Sequence, residues 1–108
     1  MRLSEEKRLE PAMEVIKDRF SDNALTVSEL ASVCGISEVY FRKLFQSKFN
    51  ISPKDYLIRM RMEYAKSLLE TGQITVSKVA ELCGYAEPCH FSREFSKYFG
   101  VAPSRHQK

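Results

Sequence analysis

Hydrophobic residues recur at intervals of three and four along most of the chain, a spacing that places side chains on one face of an α-helix. The clearest case is the series Phe41, Phe45 and Phe49, which leaves polar side chains on the opposite face. From Pro53 to Glu70 the helical pattern continues without a breaking residue. Nothing in the pattern suggests a strand pair, and the sequence therefore predicts an all-α protein of about seven helices.

Local signals predict where these helices begin and end. Thr26 followed by Glu29 predicts a capping box at the start of one helix, and Ser37 and Ser52 occupy the N-cap positions of the next two. Gly35 predicts a helix end, because glycine readily adopts the left-handed conformation found there. The region therefore contains a short helix, a tight turn and a longer amphipathic helix.

The same helix–turn–helix pattern occurs twice. Residues 26–35 correspond to residues 75–84 at a constant offset of 49, and residues 41–53 correspond to residues 91–103 at an offset of 50. One residue has been added in the second copy, just after its glycine. The chain is therefore a tandem of two related units of about 28 residues each.

The order of elements predicts four segments. We expect a flexible lead-in or linker remnant at 1–8, a first helix-turn-helix subdomain at 9–52, a linker helix at 53–71 and a second subdomain at 72–108. The charged start at Ser4–Arg8 favours a piece of a longer chain over a small stand-alone protein.

Composition narrows the class of protein. The chain has no run of about 18 apolar residues and no signal-peptide pattern, so we expect a cytoplasmic protein without membrane association. Its three cysteines are an odd number, and Cys34 and Cys83 occupy equivalent positions in the two units. Apolar packing in a reducing compartment suits them better than a disulfide framework.

The charge distribution is compatible with a polyanionic partner without requiring one. The net charge is +3, and residues 23–108 carry twelve basic and eight acidic side chains.

The duplicated helix–turn–helix pattern is more specific evidence for DNA binding than the net charge. The helix predicted at 53–70 lies between the two copies and would span roughly 27 Å. Successive major grooves on one face of DNA lie about 34 Å apart. The sequence therefore predicts two recognition helices, at about 38–49 and 88–99, that read duplex DNA.

These residues resemble the DNA-binding domain of the AraC/XylS family of bacterial transcription regulators. The most specific match is in the second unit, at Val79-Ala80, Cys83-Gly84-Tyr85 and residues 91–104. The first unit and the connecting Arg59-Met60-Arg61-Met62 also fit. The resemblance implies sequence-specific binding to double-stranded DNA by two recognition helices, one in each unit, usually with recruitment of RNA polymerase. We also expect the domain to be monomeric alone and to need no cofactor.

The resemblance also implies which side chains face the bases. These are Val39, Arg42 and Lys43 in the first recognition helix, and Cys89, His90, Ser92 and Arg93 in the second. Arginine and lysine can donate to guanine O6 and N7, while an aliphatic side chain or a thiol can contact the thymine methyl group. The alternative for the first helix is a solvated face with no DNA contact.

Contacts to the DNA backbone are expected at helix starts and at nearby basic side chains. Free N–H groups and the helix dipole favour phosphate at a helix start. Arg59 and Arg61 have an alternative, an ion pair with Asp55 or Glu63 on the same helix. Thr26 and Thr75 are helix caps whether or not they also contact phosphate. The candidate phosphate-contacting residues are Thr26, Ser28, Lys48, Arg59, Arg61, Thr75, Ser77 and Lys97.

Some positions depart from the family pattern. Ala86 stands where the family usually has Ser or Asp, so the second recognition helix is expected to begin less firmly, from Glu87 and Pro88. The ending Arg105–Lys108 lacks the usual aromatic residue. Glu38 and Glu87 would repel phosphates unless they face a cytosine amine or solvent.

Other functions have weaker support. Cys83, Cys89 and His90 match no common zinc-binding spacing, and adjacent residues on a helix do not face one another, so we expect neither a metal site nor a catalytic pair. The protein is therefore predicted not to be an enzyme. The alternative to DNA binding is a helical protein-interaction module.

Overall fold

The computed structural model describes residues 7–106 of the chain. The regular secondary structure of this part is α-helical, with turns and loops between the helices and no strand, which confirms the predicted all-α class. The predicted lead-in at 1–8 lies almost wholly outside the described residues. The seven helices are α1 (Glu10–Arg19), α2 (Val27–Val33), α3 (Glu38–Phe49), α4 (Pro53–Glu70), α5 (Val76–Leu82), α6 (Pro88–Phe99) and α7 (Pro103–His106).

Four helices begin with a side-chain cap, as the sequence predicted. The hydroxyl oxygens of Thr26, Ser37, Ser52 and Thr75 each accept a hydrogen bond from the backbone N–H three residues later, at 3.1 Å. Helix α6 differs, because its N-cap residue Glu87 makes no side-chain capping bond. The weaker start expected for this helix is therefore present.

The predicted capping box at α2 is only half formed. The Thr26 hydroxyl accepts from the Glu29 N–H, but the Glu29 carboxylate binds the Arg19 guanidinium at the end of α1. In the ion pair both partners are charged, whereas completing the box would pair the carboxylate with an uncharged backbone N–H. The ion pair thus joins α1 to α2 within the first unit.

One helix end requires glycine for two reasons. Gly84, after α5, has a φ of +90°, and a Cβ at this position would lie 2.4 Å from the Ser21 carbonyl oxygen. The equivalent Gly35 has a φ of +68° but has open space around the same point. Asn50 ends α3 in the left-handed conformation at a φ of +58°.

The described chain divides into two units, and the boundary falls inside α4. The first contains the described residues up to Phe20 together with Ala24–Ile58, and the second contains Ser21–Asn23 and the described residues from Arg59 onward. In the first unit, α2 packs against α1 and α3. Its core consists of Leu9, Ala12, Ile16, Leu25, Leu30, Ala31, Phe41, Leu44, Phe45 and Leu57.

In the second unit, α6 packs against α5 and α7. The short segment Ser21–Asn23 belongs here, since the Arg61 guanidinium donates to the Asp22 carbonyl at 3.2 Å. The buried residues of this unit are Met62, Ala65, Leu69, Val79, Ala80, Cys83, Tyr85, Phe91, Phe95 and Pro103.

All three cysteines are free thiols in the structure. Burial raises the pKa of the Cys83 thiol to about 12, although the positive charge of Arg61 opposes the shift. Burial also raises the pKa of Cys34, which is half-buried. Cys89 is exposed. Cys83 therefore behaves as a small core side chain.

Across residues 7–106, none of the helices combines the length and the apolar character that a membrane crossing requires.

Candidate nucleic-acid interface

Helix α3 buries one face and exposes the other. Phe41 and Phe45 are fully buried and Leu44 nearly so, because they lie three and four residues apart and face the core of the first unit. The opposite face carries the predicted base-facing residues. Val39 is 64% exposed, which is high for an aliphatic side chain, and Arg42 and Lys43 are exposed beside it.

Helix α6 has the same arrangement in the second unit. Phe91 and Phe95 are fully buried. Of the predicted base-facing residues, Cys89, His90 and Arg93 are exposed and Ser92 is half-buried.

The two phenylalanine series have nearly identical geometry. The Phe41 and Phe45 rings are 5.7 Å apart at 46°, and the Phe91 and Phe95 rings are 5.7 Å apart at 47°. The next pair in each series, ending at Phe49 and at Phe99, is 4.6 Å apart, at 47° and 49°. Within its own unit, each helix is therefore held by the same packing and turns the same face outward.

A third ring completes the packing in each unit. Tyr56 lies 5.3 Å from Phe45, edge to face at 81°. His106 lies 5.2 Å from Phe95 at 79°, in the corresponding position. His106 thus supplies a ring in the C-terminal segment, which lacks the family's usual aromatic residue. His106 lies 50 residues after Tyr56, which is the offset between the two units, and this spacing was the signal in the sequence that the two positions are equivalent.

The base-facing side of α3 contains an ion pair that the sequence analysis did not identify. Arg42 donates to the Glu38 carboxylate at 2.6 Å, and both side chains are exposed. Their separation of four residues along the helix was the available signal. Glu38 therefore contacts a predicted DNA-binding side chain directly.

A different polar cluster borders α6. The Tyr85 hydroxyl donates to the Glu94 carboxylate, and the other Glu94 oxygen, Oε1, lies 3.7 Å from His90 Nε2. The His90 ring meets the Tyr85 ring edge to face, with centroids 5.4 Å apart. Neither Tyr85 nor Glu94 was a candidate from the sequence, although the spacing of His90 and Glu94 also marks a helical pair.

The second unit also has two open clefts beside these residues. One, of about 370 Å³, brings together the predicted base-facing residues His90 and Arg93, with Ala86 and Glu87 at its edge. The other, of about 400 Å³, contains the predicted phosphate-contacting residue Ser77. Its remaining lining residues are Asn23, Glu81, Tyr85, Ala86 and Pro88.

The predicted phosphate-contacting residues lie at the surface with one exception. Arg61 is half-buried, and its bond to the Asp22 carbonyl gives it a structural role within the second unit. Lys48 is exposed and lies over the Phe49 ring at 5.4 Å. The remaining candidates, all exposed, are Thr26, Ser28, Arg59, Thr75, Ser77 and Lys97. Contact with phosphate stays a prediction for all eight.

Within the part of the chain that the structure describes, no group of three or more His, Cys, Asp or Glu residues is arranged to hold a metal ion.

Sequence comparison relates the chain to known regulators. The helix-turn-helix domain family matches residues 30–108. The probable transcriptional regulator LumQ of Photobacterium leiognathi is 34% identical over 109 residues, covering 97% of this chain and 44% of that protein. The Msm operon regulatory protein of Streptococcus mutans is 30% identical over 86 residues, covering 80% of this chain and 31% of that protein. The chain spans less than half the length of these curated relatives.

Solved structures share the fold. The C-terminal domain of the two-component response regulator yesN from Fusobacterium nucleatum has a TM-score of 0.86 at 30% identity, over 90% of this chain and 94% of that chain. The DNA-binding domain of AdpA, solved in complex with a target DNA, has a TM-score of 0.80 at 28% identity, over 89% of this chain and 88% of that chain.

Proposed function

The chain belongs to the AraC-type helix-turn-helix family of transcription regulators, and from this premise we propose that it binds double-stranded DNA in a sequence-specific manner. Helices α3 and α6 act as the two recognition helices, each entering a major groove. The observation that carries this proposal is the repeated geometry of the two helices, each with buried phenylalanines on one face and exposed basic side chains on the other.

We propose that the exposed faces of α3 and α6 read the bases. Arg42 and Lys43 in α3 and Arg93 in α6 donate to guanine O6 and N7, the commonest specific contact of these side chains. Val39 and Cys89 contact thymine methyl groups, and His90 and Ser92 contact polar base edges.

We propose that the eight predicted phosphate-contacting residues fix the register of the protein on the duplex without reading its sequence. The two helix-turn-helix subdomains are 9–52 and 72–108. The segment 53–71 joins them and lets α3 and α6 occupy successive major grooves. Support comes from α4, which continues without interruption from Pro53 to Glu70.

The same proposal extends to the setting in which the protein acts. We propose that it is the DNA-binding part of a bacterial transcription regulator that acts in the cytoplasm, is monomeric by itself, contacts RNA polymerase and is not an enzyme. The similarity to transcription regulators supports the regulatory role. The curated relatives are longer than this chain, which leaves room for a sensing or dimerising domain in the whole protein.

Selection of bound duplexes from a random DNA pool tests the proposed DNA binding and at the same time identifies the preferred DNA sequence. With the selected duplex, eight phosphate contacts predict a slope of log affinity against log salt of about −7. Arg42→Ala and Arg93→Ala should each cost about 1–3 kcal/mol and relax the preference at two different base positions.

Lys17→Ala serves as the matched control, because it removes one exposed charge from α1, which is not one of the two proposed recognition helices. It should leave base preference unchanged. If the pool yields no preferred duplex, or if both arginine variants keep the parent's preference at every position, DNA recognition by these helices is wrong. The protein-interaction module then becomes the better interpretation.

A further inference from the structure

The polar cluster of Tyr85, Glu94 and His90 lies at the edge of the proposed recognition face of α6. Tyr85 is 6% exposed, and its hydroxyl donates to the Glu94 carboxylate. Burial raises the pKa of the Tyr85 hydroxyl above its usual range, and the hydrogen bond to Glu94 and the charge of that carboxylate raise it further. The hydroxyl therefore stays protonated, and it anchors the carboxylate as a permanent donor.

Glu94 faces His90 with its other oxygen. Glu94 Oε1 lies 3.7 Å from His90 Nε2, longer than a direct hydrogen bond but within the distance of an ion pair. The Glu94 side chain is 25% exposed, whereas His90 is 59% exposed. A carboxylate anchored in the protein thus stands beside an imidazole that reaches the solvent.

The first unit shows that the fold does not require this cluster. At the positions equivalent to Tyr85, His90 and Glu94 it has Ile36, Tyr40 and Leu44. Leu44 is 5% exposed in the core of the first unit, and the phenylalanine geometry is the same in both units. A partly buried carboxylate loses hydration that leucine does not need, so packing alone does not explain its presence.

We propose that Glu94, anchored by Tyr85, is a positioning residue that determines which base His90 selects. In the neutral imidazole, the negative charge beside Nε2 favours the ring proton on that nitrogen and leaves Nδ1 as an acceptor. An acceptor matches the amino groups of adenine and cytosine in the major groove. This inference rests on the proposed DNA-binding function, because it assigns a specificity role within that same surface.

The test compares discrimination at single base pairs of the selected duplex for the full chain and its variants. His90→Ala should lower discrimination about tenfold at one base pair. Glu94→Gln should lower it to a similar extent at the same base pair, and the double variant should lose no more than either single variant. Glu70→Gln is the control, since it removes an exposed charge from α4 of the same unit. Affinity for random duplex should change equally in Glu94→Gln and Glu70→Gln.

The imidazole ¹⁵N NMR spectrum of His90 gives a second readout that needs no DNA. In the parent protein the Nε2-protonated form should dominate, and Glu94→Gln should shift the population toward the Nδ1-protonated form. Tyr85→Phe keeps the ring but removes the anchoring hydroxyl, and it should change both readouts in the same direction. It also tests the inference if Glu94→Gln does not fold.

The outcomes separate the two proposals. A parent chain that prefers no duplex overturns the proposed function and, with it, this inference. A parent that selects a site, combined with unchanged discrimination at the His90 position in Glu94→Gln or Tyr85→Phe, overturns the positioning role alone. The same conclusion follows if the loss in the double variant equals the sum of two independent losses.

Discussion

The two units of this chain share one packing scheme and differ around its edges. The distances between phenylalanine rings agree to within 0.1 Å between α3 and α6. In contrast, α3 starts with a Ser37 cap while α6 starts without one, and the apolar Leu44 is replaced by Glu94. Interior packing tolerates little change in side-chain volume, whereas the loss of a helix cap lowers the stability by only about 1 kcal/mol. The second unit therefore has a less stable helix start, and it carries a polar side chain beside its proposed recognition face where the first unit has an apolar one.

The turn glycines should give the largest difference between the units. Gly35→Ala should lower the free energy of unfolding by roughly 1–2 kcal/mol, the cost of a left-handed residue with a Cβ. Gly84→Ala should lose a further 1–3 kcal/mol or so, because its new Cβ meets the Ser21 carbonyl oxygen at 2.4 Å. Urea unfolding followed by circular dichroism measures both. Equal losses would mean that the close backbone approach at Gly84 is not present in solution.

The helix starts should give the next largest effect. Ser37→Ala should destabilise the protein by about 1 kcal/mol, because it removes the acceptor for the Tyr40 N–H. Glu87→Ser should stabilise it by about 0.5–1 kcal/mol, because it recreates before Pro88 the Ser-Pro start that caps α4. Thermal unfolding of both variants checks this. A loss of stability in Glu87→Ser would show that Glu87 has a favourable role not explained by capping.

The third ring of each series allows a reciprocal exchange. His106→Tyr should stabilise the second unit by about 0.5–1 kcal/mol, because a tyrosine ring packs more apolar surface against Phe95 and Phe99. Tyr56→His should destabilise the first unit by a similar amount, through the corresponding contacts with Phe45 and Phe49. Urea unfolding of the two variants tests the equivalence. If both changes destabilise the protein, the two ring positions are not interchangeable.

The smallest expected effect concerns the ion pair of α3. Glu38→Gln should tighten binding to the selected duplex about threefold, since it frees Arg42 and removes a negative charge from the proposed DNA-binding face. Fluorescence anisotropy at low salt measures the change. Glu14→Gln in α1 is the control for net charge. Weaker binding in Glu38→Gln would instead mean that Glu38 holds Arg42 in its reading conformation.

Much of the fold and part of the candidate site were predictable from the sequence. Caps at Thr26, Ser37, Ser52 and Thr75 and the inward phenylalanine faces were predicted and found. These features depend on residues within about four positions of one another, where the helix itself defines the geometry. The outward position of Arg42, Lys43 and Arg93 follows from the same periodicity.

Contacts between separate helices and turns could not be predicted from the sequence. Glu29 binds Arg19 rather than completing its box, and Tyr85 reaches Glu94. The Gly84 turn approaches Ser21, from which it is 63 positions distant in the chain. Such contacts depend on how separate helices and turns pack, and local spacing carries no information about them. Packing brings together groups far apart in the chain, whereas each helix and its start follow from neighbouring residues alone.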